Sequence, residues 1–246
     1  MVHSPAQLGV AARASVSDAL ELRRVFETVD AASCPSSCNF HMHTNHSDGQ
    51  LEPERLIEQA IHLGLKDFAI TDHHTVSGFY QARQHLEDWQ WRHPAPIVAG
   101  RRQRQVKSLP RLWTGVEVTS VLDNVEVHIL GYAFNPDHAS MSLYLNGTSP
   151  KGHNQLAETV IQSIQQAGGM AVLAHPCRYR RPAEELVAAA VAKGIDGMET
   201  YYAYDNPKEW RPCPKQTPSM QELAQTFGIL STCGTDTHGK FLTRRI

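Results

Sequence analysis

The sequence predicts an α/β protein in which β/α units form a barrel. Seven short apolar segments along the chain are mostly separated by segments whose apolar residues recur at helical spacing. Side chains able to bind metal follow the ends of several apolar segments. No internal repeat and no linker divides the chain into two units. Because functional groups gather at the carboxyl ends of barrel strands, this fold class also predicts where a site would form.

The composition is that of a globular protein with an unusual number of histidines. The chain has 246 residues, of which 41% are hydrophobic and 20% charged, and its formal net charge is −2. This charge excludes a strong global attraction to nucleic acid but not a local basic site. Fourteen histidines are present, and histidine is the commonest metal ligand. Five irregularly spaced cysteines and the lack of a ~20-residue apolar run favour a reducing cytoplasm and no membrane.

The first part of the chain predicts a helical lead-in, residues 1–38, before a single domain, residues 39–246. Residues 17–29 have the apolar spacing of a helix. Cys34 and Cys38 have the separation of a redox or metal pair, but no second pair matches them, and a loop before the first strand is favoured. The following elements are a strand, a helix, a strand and a helix, at 39–43, 53–63, 67–71 and 75–91.

The middle of the chain predicts two antiparallel strands. About six residues separate the apolar segments 112–118 and 125–132, too few for a helical crossover. The basic run 101–107 is either a solvated loop or a rim that attracts phosphate. Residues 135–153 are rich in Pro, Asp, Asn, Ser and Gly and predict a loop that could cover a site. Three further strands, each preceded by a helix, are predicted at 170–174, 195–200 and 229–233.

Nine potential metal ligands fall at one end of the predicted strands. They comprise six histidines, two aspartates and one glutamate: His41, His43, Asp48, His73, Glu117, His128, His175, Asp236 and His238. One ion needs roughly four to six ligands. The set therefore predicts two or three divalent ions with shared carboxylates.

The order of these groups resembles the polymerase-and-histidinol-phosphatase (PHP) family. The matching motifs are HMH (41–43), SDG (47–49), TDHH (71–74), GVE (115–117), EVHILGY (126–132), AHP (174–176) and GTDTHG (234–239). The resemblance implies a distorted seven-stranded, TIM-like barrel with a trinuclear site. Manganese is favoured over zinc, iron or magnesium, and the nine residues match the family's ligand positions.

The resemblance also implies a metal-dependent phosphoesterase. Among its members the chain is most similar to nucleoside 3′,5′-bisphosphate phosphatases and 5′-3′ exonucleases on short oligonucleotides. Its expected partner is thus a phosphorylated small molecule or a short oligonucleotide, with no stable protein partner. A histidinol-phosphate-type phosphatase and a non-catalytic metal-binding regulatory module are the alternatives.

Four other residues are candidates for contact with substrate. Arg178 is predicted to clamp phosphate, since guanidinium binds it in a bidentate manner, and Arg180 is a weaker candidate for the same role. Tyr201 and Tyr202 either stack on a base or pack in the core.

Two residues beside the predicted ligands raise the question of direct catalysis. His74 either protonates the leaving oxygen or supports a ligand, and the supporting role is favoured. Cys177 is close to His175 in sequence, but a histidine that binds metal is a poor base for a cysteine nucleophile.

Overall fold

The computed structural model describes residues 16–93 and 110–246, which form an α/β fold with two sheets. The predictions for residues 1–15 and for the basic run 101–107 lie outside the described residues. The helix predicted at 17–29 is present as α1 (Val16–Phe26). No helix within the two described ranges combines the length and hydrophobicity that crossing a lipid bilayer requires.

The first sheet has three parallel strands. They are β1 (Cys38–Asn39), β2 (Asp67–Ala69) and β3 (Arg111–Trp113), in that order. Two helices follow β1 and β2, namely α2 (Pro53–Leu63) and α3 (Ser77–Arg92). Helix α2 begins at a proline and ends before Gly64, whose φ of 78° suits the end of a helix.

The second sheet has five strands, and one of them is reversed. The strands are β4 (Gly115–Leu122), β5 (Val125–Tyr132), β6 (Met170–Leu173), β7 (Gly197–Tyr201) and β8 (Leu230–Cys233). The predicted antiparallel pairing of β4 with β5 is confirmed, and β5 is antiparallel to β6 as well. The predicted strand 112–118 is divided between β3 and β4, which belong to different sheets.

Three helices connect the strands of the second sheet. They are α4 (Ala157–Gln166), α5 (Ala183–Ala192) and α6 (Thr217–Phe227). Strands β6, β7 and β8 are parallel, and the helices α5 and α6 form the crossover connections that parallel neighbours need. Their carboxyl ends therefore point to the same edge of the sheet.

The two sheets touch at both of their ends. Beyond β1 the backbone continues beside the chain that follows β8, because Phe40 donates from its amide to the Cys233 carbonyl at 3.0 Å and Met42 bridges to Thr237. Beyond β2, His73 forms a bridge with Glu117 on β4. These contacts bring the carboxyl ends of β1 and β2 to the rim formed by β6, β7 and β8.

Helix α1 contributes to the core instead of only covering it. Phe26 meets Phe40 edge-on with ring centroids 4.9 Å apart, and meets Tyr132 at 5.4 Å. Leu22 is also fully buried in this cluster. Burying each such side chain stabilises a fold by about 1.5–3 kcal/mol, so the lead-in helix is part of the same packed unit.

The loop predicted at 135–153 is packed against the domain. Met141 and Tyr144 are buried, and the Tyr144 hydroxyl donates to the Asn154 carbonyl at 3.0 Å. The Gly147 amide donates to the His74 carbonyl at 2.8 Å. The loop is therefore anchored beside the strand end that carries His73 and His74.

A candidate metal centre

The segment after β1 carries two histidines into the interior of the rim. His41 and His43 are both fully buried, and their rings are 5.2 Å apart between centroids. The intervening Met42 side chain packs in an apolar cluster. This alternation follows from extended backbone, in which side chains two positions apart share a side. The pair therefore faces a common space, as the sequence predicted.

Glu117 is the centre of the arrangement. Its carboxylate is buried, and five histidine ring nitrogens lie between 2.7 and 3.6 Å from its oxygens. Those nitrogens come from His41, His43, His73, His128 and His175. They are supplied by segments after β1, β2 and β6 and by the reversed strand β5. The turn between β4 and β5 is what allows His128 to reach the same carboxylate.

The two carboxylate oxygens of Asp236 have different neighbours: one faces histidines, and the other accepts hydrogen bonds. Its Oδ1 lies 3.4 Å from His41 Nε2 and 3.3 Å from His43 Nε2. Its Oδ2 accepts hydrogen bonds from the Tyr202 hydroxyl at 2.6 Å, Arg178 Nη1 at 3.0 Å and Arg245 Nε at 2.8 Å. One oxygen is thus held by protein donors while the other faces the histidines.

Asp48 lies at the open side of the arrangement. Its carboxylate oxygens are 3.3 Å from His238 Nε2, 3.7 Å from His73 Nε2 and 3.6 Å from His43 Nδ1. Its side chain is 55% exposed, whereas that of Asp236 is 2% exposed. The site therefore has a buried end and an open end.

The turn that presents Asp48 is held by a buried carboxylate that the sequence analysis did not select. Asp72 Oδ1 accepts from the Thr44 amide and from the Ser47 hydroxyl, both at 2.7 Å. Asp72 Oδ2 accepts from the Thr44 hydroxyl at 2.6 Å. Asp72 therefore fixes the loop that carries Asp48.

Three residues of the site adopt a backbone conformation that is unusual for non-glycine residues. The φ angles are 55° at His74, 28° at His175 and 51° at Asp236. Such angles cost free energy and persist where the surrounding structure enforces them. All three lie in the segments that follow β2, β6 and β8, where the chain changes direction.

The buried carboxylates and histidines shift one another's pKa values. Burial alone would raise the pKa of Glu117, but the neighbouring histidines, His41 first, hold it well below its ordinary value. Burial opposes protonation of His43, whereas the adjacent Asp236 and Glu117 carboxylates raise its pKa to about 9. Asp236 likewise has a lowered pKa, because His41 and His43 outweigh burial. The carboxylates are therefore ionised at neutral pH.

The donor set fits divalent metal ions. Among the described residues, the possible ligand atoms form three groups, and the atoms within each group lie within 4.8 Å of one another. The groups are His43, Asp48, His73 and His238; His41, His43, Glu117 and Asp236; and His73, Glu117 and His128. Both ring nitrogens of His43 and Nδ1 of His175 are buried without a hydrogen-bond partner. Buried nitrogens of this kind are costly unless another group binds them, and imidazole with carboxylate suits zinc, iron and manganese.

Of the predicted substrate-binding residues described next, only Tyr202 lies at the site. Tyr202 lies at the site, but its hydroxyl is committed to Asp236 and its ring is buried. Tyr201 packs in the core cluster with Leu22 and Phe26, on the other side of β7. This location argues against base stacking by Tyr201, because alternate residues of a strand face opposite sides. Arg180 is exposed beyond the rim.

His74 is directed into the protein and contacts the anchored loop. Its Nε2 lies 3.2 Å from the Thr119 hydroxyl and 3.1 Å from the Ser149 hydroxyl. Burial lowers the pKa of His74 to about 4, so the ring is neutral at physiological pH. These contacts are those of a residue that supports the neighbouring strand end.

Three further residues touch the predicted ligands and escaped the sequence analysis. Arg245 donates to Asp236, the Tyr179 hydroxyl accepts from the His128 amide at 2.7 Å, and Glu199 faces His41 at 3.1 Å. The sequence held one signal for Glu199, because an acidic residue is unusual in a short strand that is otherwise uncharged. Neither of the other two follows a recognisable motif.

The chain belongs to the PHP domain family, whose profile matches residues 39–203. This match confirms the predicted family and, with it, the predicted enzyme class of metal-dependent phosphoesterases. The predicted site has its last two ligands, Asp236 and His238, beyond the matched range.

Two curated relatives bear the same name. The 5′-3′ exoribonuclease Rnm of Escherichia coli is 29% identical over 129 residues, which cover 52% of this chain and 38% of that protein. The 5′-3′ exoribonuclease Rnm of Salmonella typhimurium is 24% identical over 271 residues, which cover 81% of this chain and 84% of that protein.

A solved structure shares the fold. It is a protein of Bifidobacterium adolescentis assigned as a metal-dependent phosphoesterase, with a TM-score of 0.63 and 24% identity. The superposition covers 84% of this chain and 89% of that one. The α/β class of the prediction is thereby confirmed.

Proposed function

We propose that this protein hydrolyses phosphate esters of nucleotides, acting as a 5′-3′ exonuclease on short oligonucleotides or as a nucleoside 3′,5′-bisphosphate phosphatase. The observation that carries the proposal is the convergence on Glu117 of histidines from three strand ends and from the reversed strand β5. The similarity to two proteins named 5′-3′ exoribonuclease supports the nucleotide class of substrate.

In this proposal the nine predicted ligands hold two or three divalent ions, with manganese favoured. The three overlapping groups of ligand atoms support this number, because His43, His73 and Glu117 each belong to two groups. Glu117 would be among the residues that hold the ions at the buried end. His175, whose Nε2 is 3.4 Å from Glu117, completes the set.

When bound, the ions would supply the Lewis acidity that activates water and neutralises charge on a phosphoryl group. The protein's own residues orient the Asp236 carboxylate and the phosphate group of the substrate. Asp236 keeps Oδ1 toward the histidines because Tyr202, Arg178 and Arg245 restrain Oδ2. The Arg178 side chain is 40% exposed, so its remaining N–H groups can donate to a phosphate that enters from the open side.

His74 has a supporting role in this mechanism. A neutral ring with a pKa of about 4 is a poor proton donor at neutral pH. Its contacts with Thr119 and Ser149 instead connect the end of β2 to β4 and to the anchored loop. We therefore assign no proton transfer to His74.

The proposed architecture is a distorted seven-stranded barrel in which residues 39–246 are the catalytic domain. Two contacts support closure of the two sheets into one ring. The segment after β1 contacts the segment after β8, and the segment after β2 contacts strand β4. Counting β3 and β4 as one interrupted strand gives seven positions around that ring. The packing of Phe26 on Phe40 attaches the lead-in helix to it.

A substrate panel tests the proposed function. Metal-free protein is reconstituted with Mn²⁺ and assayed on a 5′-phosphorylated oligoribonucleotide, adenosine 3′,5′-bisphosphate and histidinol phosphate. We expect release of mononucleotides from the first or of phosphate from the second, with much slower hydrolysis of histidinol phosphate. The number of bound ions is measured on the same preparation, and more than one per chain is expected.

Two variants make the result specific to the site. Glu117→Gln, purified in parallel, should lose the activity, which excludes a contaminating phosphatase. Glu158→Gln changes a surface glutamate paired with Lys193 and should retain it. A protein that binds its full set of ions yet hydrolyses neither nucleotide substrate would contradict the proposal.

A further inference from the structure

Glu199 is a buried carboxylate with an unusual set of neighbours. It lies on β7 and is fully buried. Within residues 16–93 and 110–246, no lysine or arginine forms an ion pair with it. A buried carboxylate is costly unless it is hydrogen-bonded and its charge is compensated. The compensation must therefore come from the groups that face it.

Two histidines from different strand ends provide those contacts. The Glu199 Oε1 atom lies 3.1 Å from His41 Nδ1, and Oε2 accepts from the His175 amide at 2.9 Å. His175 has one of the positive φ angles of the site, at 28°. Glu199 thus holds the imidazole of one predicted ligand and the backbone of another.

The bond to His41 determines which ring nitrogen faces the cluster. When Nδ1–H donates to Glu199, Nε2 is left without that proton and can bind an ion. His41 Nε2 is the atom that lies 3.0 Å from Glu117 and 3.4 Å from Asp236. The two ring nitrogens therefore face two different carboxylate environments.

The packing around Glu199 leaves little freedom for another arrangement. A Cβ atom at Gly234 would lie 2.2 Å from the His41 Cβ and 2.9 Å from Glu199 Oε1. Both distances are too short for any side chain larger than hydrogen. Gly234 therefore allows the β8 segment to close over the pair formed by His41 and Glu199.

We propose that Glu199 is a positioning residue that fixes His41 with Nε2 toward the metal ions and increases the affinity of the buried end for them. The proposal rests on the proposed metal centre. A carboxylate on the second nitrogen of a metal-binding imidazole fixes its orientation and makes it a stronger ligand, and its loss typically lowers metal affinity by about 10- to 100-fold.

The first test needs no substitution. In protein loaded with Zn²⁺, which is diamagnetic, ¹⁵N NMR of the histidine rings should show His41 protonated at Nδ1 and bound through Nε2. A His41 ring that is protonated at Nε2, or that titrates freely in the zinc-loaded protein, would overturn the proposal.

The second test compares Glu199→Gln with Asp196→Asn. Asp196 precedes the same strand and accepts from the Ala171 amide at 2.9 Å, so its variant also removes a carboxylate that bonds to backbone. In the described part of the chain, no histidine pairs with Asp196. Zn²⁺ affinity is measured by competition with a chromophoric chelator. Glu199→Gln should weaken the tightest ion by about 10- to 100-fold, and Asp196→Asn should bind as the wild type does.

The outcomes separate this proposal from the proposed function. Equal zinc affinity of Glu199→Gln and wild type refutes the positioning role, whatever the activity. A wild-type protein that binds zinc but hydrolyses no nucleotide refutes the function and leaves the affinity comparison valid. If Glu199→Gln does not fold, the ring assignment in wild-type protein decides the question.

Discussion

The buried and open ends of the site hold their carboxylates in opposite ways. Asp236 is 2% exposed, and protein donors bind its Oδ2. Asp48 is 55% exposed and approaches three imidazoles on an external turn. The buried end is thus preorganised by hydrogen bonds, whereas the open end relies on Asp72 beneath the turn. Because of this preorganisation, we expect the buried end to bind a metal ion more strongly than the open end does.

Removing Asp236 is expected to have the largest effect. Asp236→Ala takes a candidate ligand from the buried end and leaves Arg178 and Arg245 without their shared acceptor. Hydrolysis should fall by roughly 10³-fold or more, measured as kcat/KM on the best nucleotide substrate. Circular dichroism should show that the variant is folded. Turnover close to that of wild type would contradict the importance given to the buried end.

Asp48→Ala should have a smaller and more selective effect. The variant loses a candidate ligand of the open end only, so we expect one ion to be lost while ions at the buried end remain. Activity should fall by about 10- to 100-fold. Metal analysis after gel filtration counts the ions that stay bound. If Asp48→Ala loses every ion, then the two ends do not differ as the structure indicates.

Stability at acidic pH should report the burial of His74. The unfolded chain binds a proton at this histidine below a pKa of about 6.5, whereas the folded protein does so only near pH 4. The unfolded state therefore gains relative stability as the pH falls from 6.5 toward 4. Asparagine tolerates the positive φ at this position. Between pH 7 and pH 5, the free energy of unfolding of His74→Asn should therefore fall by about 2 kcal/mol less than that of the wild type.

The measurement is urea unfolding of metal-free wild type and His74→Asn at several pH values. Other histidines titrate in both proteins, so only the difference between the two is informative. If the free energies of unfolding of the two proteins change equally with pH, His74 does not remain neutral in the folded protein.

Arg178→Ala should have the smallest effect of the four. Because Tyr202 and Arg245 still hold Asp236, we expect an increase of about tenfold in KM, equivalent to about 1.4 kcal/mol, with a small change in kcat. Arg180→Ala, which removes an exposed neighbour, is the matched comparison. Equal KM values for Arg178→Ala and wild type would exclude the phosphate clamp.

The candidate ligands were predictable because each one has a local signal. His41, His175 and Asp236 follow apolar strand segments directly, so position along the chain indicated position at the rim. Glu199 was missed because its role depends on a partner far away in sequence: 158 residues separate His41 from Glu199. Arg245 was missed although its partner Asp236 is close in sequence, because no local motif marks it. Tyr201 and Tyr202 are adjacent, and only the direction of each side chain separates core from site.

By itself the sequence determined the α/β class, most helix and strand positions, the antiparallel return of β5 and the nine candidate ligands. These properties follow from hydrophobic periodicity and from turn residues, which act over a few positions. Only the tertiary structure decided that the predicted third strand divides between two sheets. It also decided that Asp236 is restrained by Tyr202, and that Glu199 faces His41. Such contacts depend on how distant strands align, and no local pattern encodes that alignment.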